Sequence, residues 1–314
     1  MTQQSEQNLL KHQSPTHAYT FSHTEYIVVE GPDSAKFMQG QFTCDINQVD
    51  QTHYARGACC NPKGRMVASF DIGLIGENKY LLTLSEGLAQ PLLDHLKKYA
   101  AFFKTELSIA RYQSWGVVGA DAQDVVDALT QHTPQEAFEQ VLENNLCLRK
   151  LPYNAGFEVT NLTNNELPAP LQDYFHSNDN GWHLNLIQNG LSRITLATHL
   201  ELIPQTINLD KTHGVSFKKG CYTGQEIVAR MQYLGKLKRH CYRIGFTHSA
   251  PSGSDILAGD KKVGTLVNFA PTEAGFEGLA VIEDKHLNAP LTLASADNSI
   301  ELLCLPYEPQ TMPE

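Results

Sequence analysis

From about Cys241 onward, no stretch of this sequence keeps a helical period. Short apolar runs (Tyr242 to Phe246, Val263 to Val267, Gly278 to Ile282, Leu291 to Leu293, Ile300 to Leu303) alternate with Gly, Pro, Asn and Asp. Runs of that length, broken by turn residues, read as a small all-β barrel or sandwich of five or six strands. They set a domain boundary near residue 243. A chain of 314 residues is long for one compact unit, so two or three subdomains are expected.

Ahead of the boundary, helices and strands alternate. Tyr26 to Glu30 reads as a strand, stopped by Gly31-Pro32-Asp33, which opens a helix with Phe37, Met38 and Phe42 as its apolar face. Ala58 to Met66 reads as strand, turn, strand, with Asn61-Pro62-Lys63-Gly64 as the turn. Met66 to Ile75 and Tyr80 to Leu84 are strands by residue type. Leu92, Leu93, Leu96 and Tyr99 mark a helix over Leu88 to Phe103, with Pro91 in its first turn. A second such pattern follows. Trp115 to Gly119 is a strand, Asp121 caps a helix reaching Leu129, and Cys147 to Lys150 and Gly156 to Thr160 are strands. Without long parallel-sheet runs, this favours an α+β fold of ferredoxin-like units over a doubly wound sheet.

The net charge of -10 argues against a direct nucleic-acid binder and asks any polyanion for a local basic site. The first 17 residues are polar and of mixed charge, unlike a secretory signal, and read as a frayed lead-in. No apolar run is long enough to span a bilayer, so a soluble, cytoplasmic protein is expected. The seven cysteines are odd in number, scattered and without a CxxC. That argues against a disulfide framework, a structural zinc site, or a stable iron–sulfur cluster held by this chain alone. No metal ligands are assigned. Most of the thiols are expected to be small buried hydrophobes.

One cysteine stands apart, in KKGCYTGQEIVAR, Lys218 to Arg230. Thr223-Gly224-Gln225-Glu226 fits a capping box, with Thr223 as N-cap and Glu226 reaching back. Cys221 then precedes a helix start, where free N–H groups, Lys218 and Lys219 favour a thiolate. The plain alternative is a small residue in a tight turn. From Lys218 to His240 there are six basic residues and one acid, a local balance of +5. That is either a solvated face or a site for a small polyanion, since carboxylates and phosphates suit a helix N-terminus flanked by lysines.

Lys218 to Glu226 (KKGCYTGQE) resembles the signature of the YgfZ family, folate-binding relatives of the T-protein (aminomethyltransferase) of the glycine cleavage system. The resemblance spans nearly the whole chain. Lys36 to Asp45 (KFMQGQFTCD) resembles the family's first helix, Cys60 to Met66 (CNPKGRM) its hairpin turn, and Ile203 to Leu209 (IPQTINL) the segment before the signature. It implies a T-protein-like ring of three subdomains around a central hole that binds tetrahydrofolate. Residues 1–242 would form two interleaved subdomains meeting near 110–115, and residues 243–314 the C-terminal β-barrel. It also implies a role in tRNA modification (thiolation), through maintenance of iron–sulfur client enzymes such as those that thiolate tRNA.

Two departures from the T-protein redirect the chemistry. Ala68 and Ser69 occupy the strand positions where the T-protein has the aspartate needed for aminomethyl transfer, and Asp71 is displaced by two or three residues. A shift along a strand changes depth, and face too if it is odd. The T-protein also lacks a cysteine at the Cys221 position. Aminomethyl transfer is therefore disfavoured, and Cys221, with Lys219, is taken as the functional pair. Around folate, the resemblance implies Glu158 for the pterin, Arg193 for the carboxylates and Trp182 for stacking. Tyr222, Gln225, Glu226 and Arg230 of the signature complete the expected cofactor-binding set. Leu151 replaces a tyrosine of the T-protein pterin site. For Glu158 the alternative is an exposed strand residue, and for Trp182 a core residue. Three rival functions are a folate-dependent one-carbon transferase using Asp71, a non-catalytic adaptor for iron–sulfur clients, and a cysteine hydrolase. None of the 13 histidines lies in a nucleophile motif to support the last.

Overall fold

The computed structural model describes residues 14–163, 166–294 and 297–307. The N-terminal lead-in lies mostly outside them. Among the described residues seventeen strands build three sheets. In chain order they are β1 (His17–Thr20), β2 (Thr24–Glu30), β3 (Ala55–Cys60), β4 (Met66–Gly76), β5 (Lys79–Ser85), β6 (Glu106–Ala110), β7 (Gln113–Val118), β8 (Gln140–Glu143) and β9 (Leu146–Lys150). There follow β10 (Phe157–Asn161), β11 (Phe175–His176), β12 (Arg239–Phe246), β13 (Asp255–Ala258), β14 (Lys261–Thr272), β15 (Gly275–Glu283), β16 (Leu291–Leu293) and β17 (Glu301–Leu303). Among the described residues the α-helices are α1 (Ser34–Gln39), α2 (Ala89–Ala100), α3 (Ala122–Asp127), α4 (Asn180–Gln188) and α5 (Gln225–Tyr233).

The first sheet runs β3-β4-β5-β2-β6, all antiparallel. Helix α2 packs on it, burying Leu92, Leu93 and Leu96, the stripe its spacing implies. The second sheet runs β11-β1-β7-β10-β9-β8. Strand β1 precedes the first sheet in sequence yet pairs with β7, from His17↔Val118 to Thr20↔Trp115. The chain thus starts in the second sheet, builds the first, and returns between Ala110 and Gln113. The third sheet, β16-β13-β14-β15-β12-β17, is antiparallel and curls into a half-barrel around Ile244, Ile256, Leu266 and Ile282. It begins at Arg239 and includes β13, which the apolar-run reading passed over. The fold is α+β. Among the described residues no helix is long and apolar enough to cross a membrane.

Two local readings change, and one helix is new. Phe42 lies beyond the end of α1 and forms a β-bridge with Cys59, its ring 4.5 Å from Phe70. Asp121 sits at the N-cap of α3 but makes no side-chain cap, and its own N–H donates to Thr16 Oγ1. Helix α4 had no periodic signal to announce it. It packs against β14 and covers β7, where Gly116 leaves room for the Trp182 ring.

Candidate functional site

A cavity of about 610 Å³, within the range of pockets that hold drug-sized molecules, opens between the first sheet, helix α4 and the third sheet. The end of β5, helix α4 and strand β14 each supply a wall. Trp182, Leu186, Leu191 and Phe269 make it largely apolar, and Arg193 and Asn268 are polar groups within it. Trp182 is set by close approach: a Cβ on Gly116 would fall 2.1 Å from its ring, so only glycine admits the indole here. Phe21 packs on the other side, ring centroids 5.1 Å apart. Trp182 is therefore both a core residue and part of the cavity wall.

Next to the cavity, charge is buried. Arg193 donates to Asp71 Oδ2 in a short ion pair. Arg56 Nε lies 3.6 Å from Asp71 Oδ1, and its Nη2 donates to Ser192 O at 3.0 Å. Arg149 Nη1 stands 3.6 Å from Glu158 Oε1 and donates to Thr83 Oγ1 at 3.2 Å. All five charged side chains are nearly or fully buried. Asn268 pins the segment from the third sheet: its Oδ1 accepts from Arg193 N at 3.2 Å and its Nδ2 donates to Arg193 O at 2.9 Å. Charges from the first two sheets and an amide from the third thus converge on Arg193.

The two carboxyls are pushed apart. Burial raises Asp71, but Arg193, Arg56 and Arg149 outweigh it and hold the group below the usual carboxylate range. At Glu158 burial wins over Arg149 and Arg193, and the carboxyl is raised. Glu158 is thus a buried strand residue facing the first sheet, not an exposed one, and it is absent from the cavity wall. Asp71, on β4, is the counter-charge of Arg193. Three buried side-chain atoms in the cluster, Arg56 Nε, Arg149 Nε and Asp71 Oδ1, lack a hydrogen-bond partner among the described residues.

The signature lies elsewhere. None of its residues from Lys218 to Arg230 lines the cavity. It packs instead on the Asn61–Gly64 turn and on the loop after α1. Lys219 is buried and donates through Nζ to Phe42 O at 2.7 Å and Cys44 O at 2.6 Å. Its ammonium also sits 5.2 Å from the centroid of the buried Tyr222 ring. Burial pushes the Lys219 amine down to about 8, against the pull of Cys44 and Asp45. Burial likewise raises the Tyr222 hydroxyl. Lys219 is a clamp between segments, with its donors committed to backbone.

The capping box does not form. Thr223 donates its N–H to Gly40 O at 3.1 Å and its hydroxyl to Gln41 Oε1 at 3.2 Å, so its side chain is drawn off the helix. Gly224 becomes the N-cap at φ 86, and α5 starts at Gln225. A Cβ on Gly224 would also meet Asn61 O at 2.6 Å. Glu226 and Arg230 are exposed, and Gln225 reaches Gly220 O at 3.5 Å. Cys221 is exposed on the turn between the Lys219 clamp and the Thr223 anchor, one of two exposed thiols. The other five are buried, and burial pushes Cys44, Cys60 and Cys241 up to about 12. Among the described residues no three His, Cys, Asp or Glu side chains group to hold a metal ion.

Four residues at the cavity mouth escaped the sequence reading. His23 Nδ1 lies 2.8 Å from Glu86 Oε2, and His183 Nε2 lies 3.2 Å from Asp179 Oδ2. The two rings are 6.3 Å apart. Asp179 also accepts from Ser22 N at 3.1 Å. The signal for one pair was present: aspartate and histidine four apart at a helix start.

A family model for the GCVT N-terminal domain matches residues 2–147. The tRNA-modifying protein YgfZ of Aliivibrio fischeri (strain MJ11) is 30% identical over 287 residues, covering 90% of this chain and 89% of that protein. The tRNA-modifying protein YgfZ of Photobacterium profundum is 33% identical over 251 residues, covering 77% and 75% respectively. Among solved structures, the glycine cleavage system aminomethyltransferase T from Bartonella henselae aligns over 96% of this chain and 89% of its own, with a TM-score of 0.71 at 12% identity. At that identity the likeness is one of fold.

Proposed function

The chain belongs to the YgfZ family, and from that premise we propose that it supports tRNA modification as a folate-binding protein whose functional thiol is Cys221. The observation that carries this reading is the presentation of Cys221. It is exposed on a turn held on one side by the Lys219 clamp and on the other by the two bonds of Thr223. A fixed, accessible thiol suits contact with a client protein, and the clients in this reading are iron–sulfur enzymes that thiolate tRNA. A single cysteine cannot complete a cluster, so the client supplies the remaining ligands.

Folate is the ligand proposed for the cavity between the sheets. Support comes from the size of the cavity, its apolar walls with Trp182 and Phe269, and the guanidinium of Arg193 within it. A reduced folate supplies a carrier for one-carbon units on its ring nitrogens. The chain's own residues supply a slot for a flat ring and a polar edge. Asp71, the carboxylate a transferase would need, is spent on Arg193. That favours the thiol over the folate-dependent transferase.

The test is genetic with a chemical readout: delete the gene, measure thiolated tRNA nucleosides, and complement with wild type, Cys221→Ala or Asp71→Asn. The expected result is a loss of thiolated nucleosides that wild type restores and Cys221→Ala does not. Unchanged thiolation in the deletion strain removes the reading. Full rescue by Cys221→Ala, with failure of a folded Asp71→Asn protein, replaces it with the transferase.

A further inference from the structure

The mouth of the cavity carries a construction that the folate reading does not require. His23, on the turn between β1 and β2, faces Glu86 from the turn after β5. Across the opening, His183 of α4 faces Asp179 at the start of the same helix. Each imidazole is held through one ring nitrogen. The other nitrogen, Nε2 of His23 and Nδ1 of His183, has no partner among the described residues. With rings 6.3 Å apart, one ligand group can reach both.

Charge decides what that group can be. With both imidazoles neutral, Glu86 and Asp179 leave two negative charges at the opening, which repel any anion. With both protonated, each pair is neutral and still offers a charge-assisted N–H donor outward. Arg193 is the one other ionisable residue lining the cavity, and Asp71 and Arg56 face it from beneath. Strand β14 brings Asn268, Phe269 and Pro271, none of them ionisable. Hydrogen bonding to Glu86 raises His23, and the pull of Asp179 adds to it. Asp179 stays ionised, held down to about 2 because His183 and Ser22 outweigh its burial.

We infer that the cavity mouth is a proton-coupled carboxylate subsite, in which His23 and His183 bind the tail carboxylates of the ligand on their second ring nitrogens while the His23 ring takes up a proton. The inference rests on the folate reading, because a folate is a flat ring joined to a glutamate tail. The tail carboxylates are ionised throughout the histidine range, so the proton goes to the protein.

Isothermal titration calorimetry of the full chain with 5-formyltetrahydrofolate tests this at about pH 6 and about pH 8, across the range in which histidine titrates. Two buffers of different ionisation enthalpy read the protons taken up. The expected result is net proton uptake and an affinity about tenfold tighter at the lower pH. His23→Gln/His183→Gln should bind equally at both pH values, near the weaker wild-type affinity. A folate with both tail carboxylates converted to amides should show no pH response in the wild type. Glu86→Gln keeps both rings but removes the group that raises His23, so its response should shift to lower pH. A pH response that persists in the double variant or with the diamide overturns the inference, as does equal wild-type binding at both pH values. Absence of binding by any folate at any pH has a different signature and removes the folate reading together with this one.

Discussion

Beside the cavity, Asp71 and Glu158 sit among Arg56, Arg149 and Arg193 with almost no access to water. On the signature turn, Cys221 is exposed and its neighbours are held by bonds to backbone and to Gln41. In the first region each group depends on the charge of the others. In the second, the exposed thiol depends on its neighbours only for position. The two regions should therefore fail in opposite ways: loss of a charge beside the cavity should destabilise the fold, whereas loss of the thiol should leave stability unchanged and the protein idle.

The largest effect is expected at Asp71. Asp71→Asn keeps the shape but leaves Arg193 and Arg56 buried without their counter-charge, at a cost of about 3–5 kcal/mol. Urea unfolding followed by circular dichroism should show a lower midpoint with an unchanged slope. A midpoint within error of wild type would mean that the cluster is better solvated than its burial implies. It would also remove the contrast between the regions.

Lys219 joins the two kinds of behaviour, since it is a buried charge inside the signature. Its folded-state amine titrates near 8, below the unfolded value of 10.5. Between those values the unfolded chain binds more protons, so this group adds stability as pH rises from about 8 to about 10.5 and withdraws it as pH falls. The span corresponds to something on the order of 3 kcal/mol. Stability measured across that range should therefore carry a rising component that is missing from Lys219→Met. An identical pH profile in the variant would place the Lys219 charge in contact with water.

A smaller effect is expected at Gly116. Gly116→Ala forces a methyl against the Trp182 ring, an overpacking cost of about 1–3 kcal/mol. Because Trp182 also lines the cavity, the same change should weaken ligand binding at that wall. A stability loss without any change in affinity would assign Trp182 to the core alone.

Much of this was legible in the residues. Apolar runs and turn chemistry placed strands such as Tyr26 to Glu30 and Gly156 to Thr160, because a half-buried strand writes its burial into its side chains. Helix α4 was not legible, since a helix enclosed between two sheets has no single apolar stripe. Thr223 was misread as an N-cap because a capping box looks the same whether or not Gln41 and Gly40 compete for the threonine. Asp71, Glu158 and Arg193 were each singled out in the sequence, but not as one charge cluster with Arg56 and Arg149. Arg56, Asp71, Arg149, Glu158 and Arg193 are scattered along the chain: the first two lie on β3 and β4, the next two on β9 and β10, and only the approach of the two sheets to each other and to the Arg193 segment gathers them. The mouth histidines were half legible: Asp179 and His183 share a helical turn, whereas His23 and Glu86 meet only through the fold.

Cys221→Ala completes the series and should be the quietest change in the folded protein. The thiol is exposed, and its removal should shift stability by no more than about 0.5 kcal/mol. Lys219, Thr223 and Gly224 all keep their partners, so the turn keeps its shape. Folate affinity should not change, because no signature residue lines the cavity. Support of tRNA thiolation should nonetheless be lost. Measuring unfolding midpoint, folate affinity and thiolated nucleosides on one preparation and its strain separates this outcome from the others. Loss of function with stability lowered as far as in Asp71→Asn would make the cysteine a packing residue. Loss with folate affinity lowered would join the signature to the cavity. Loss with both unchanged leaves the thiol itself as the group a client meets.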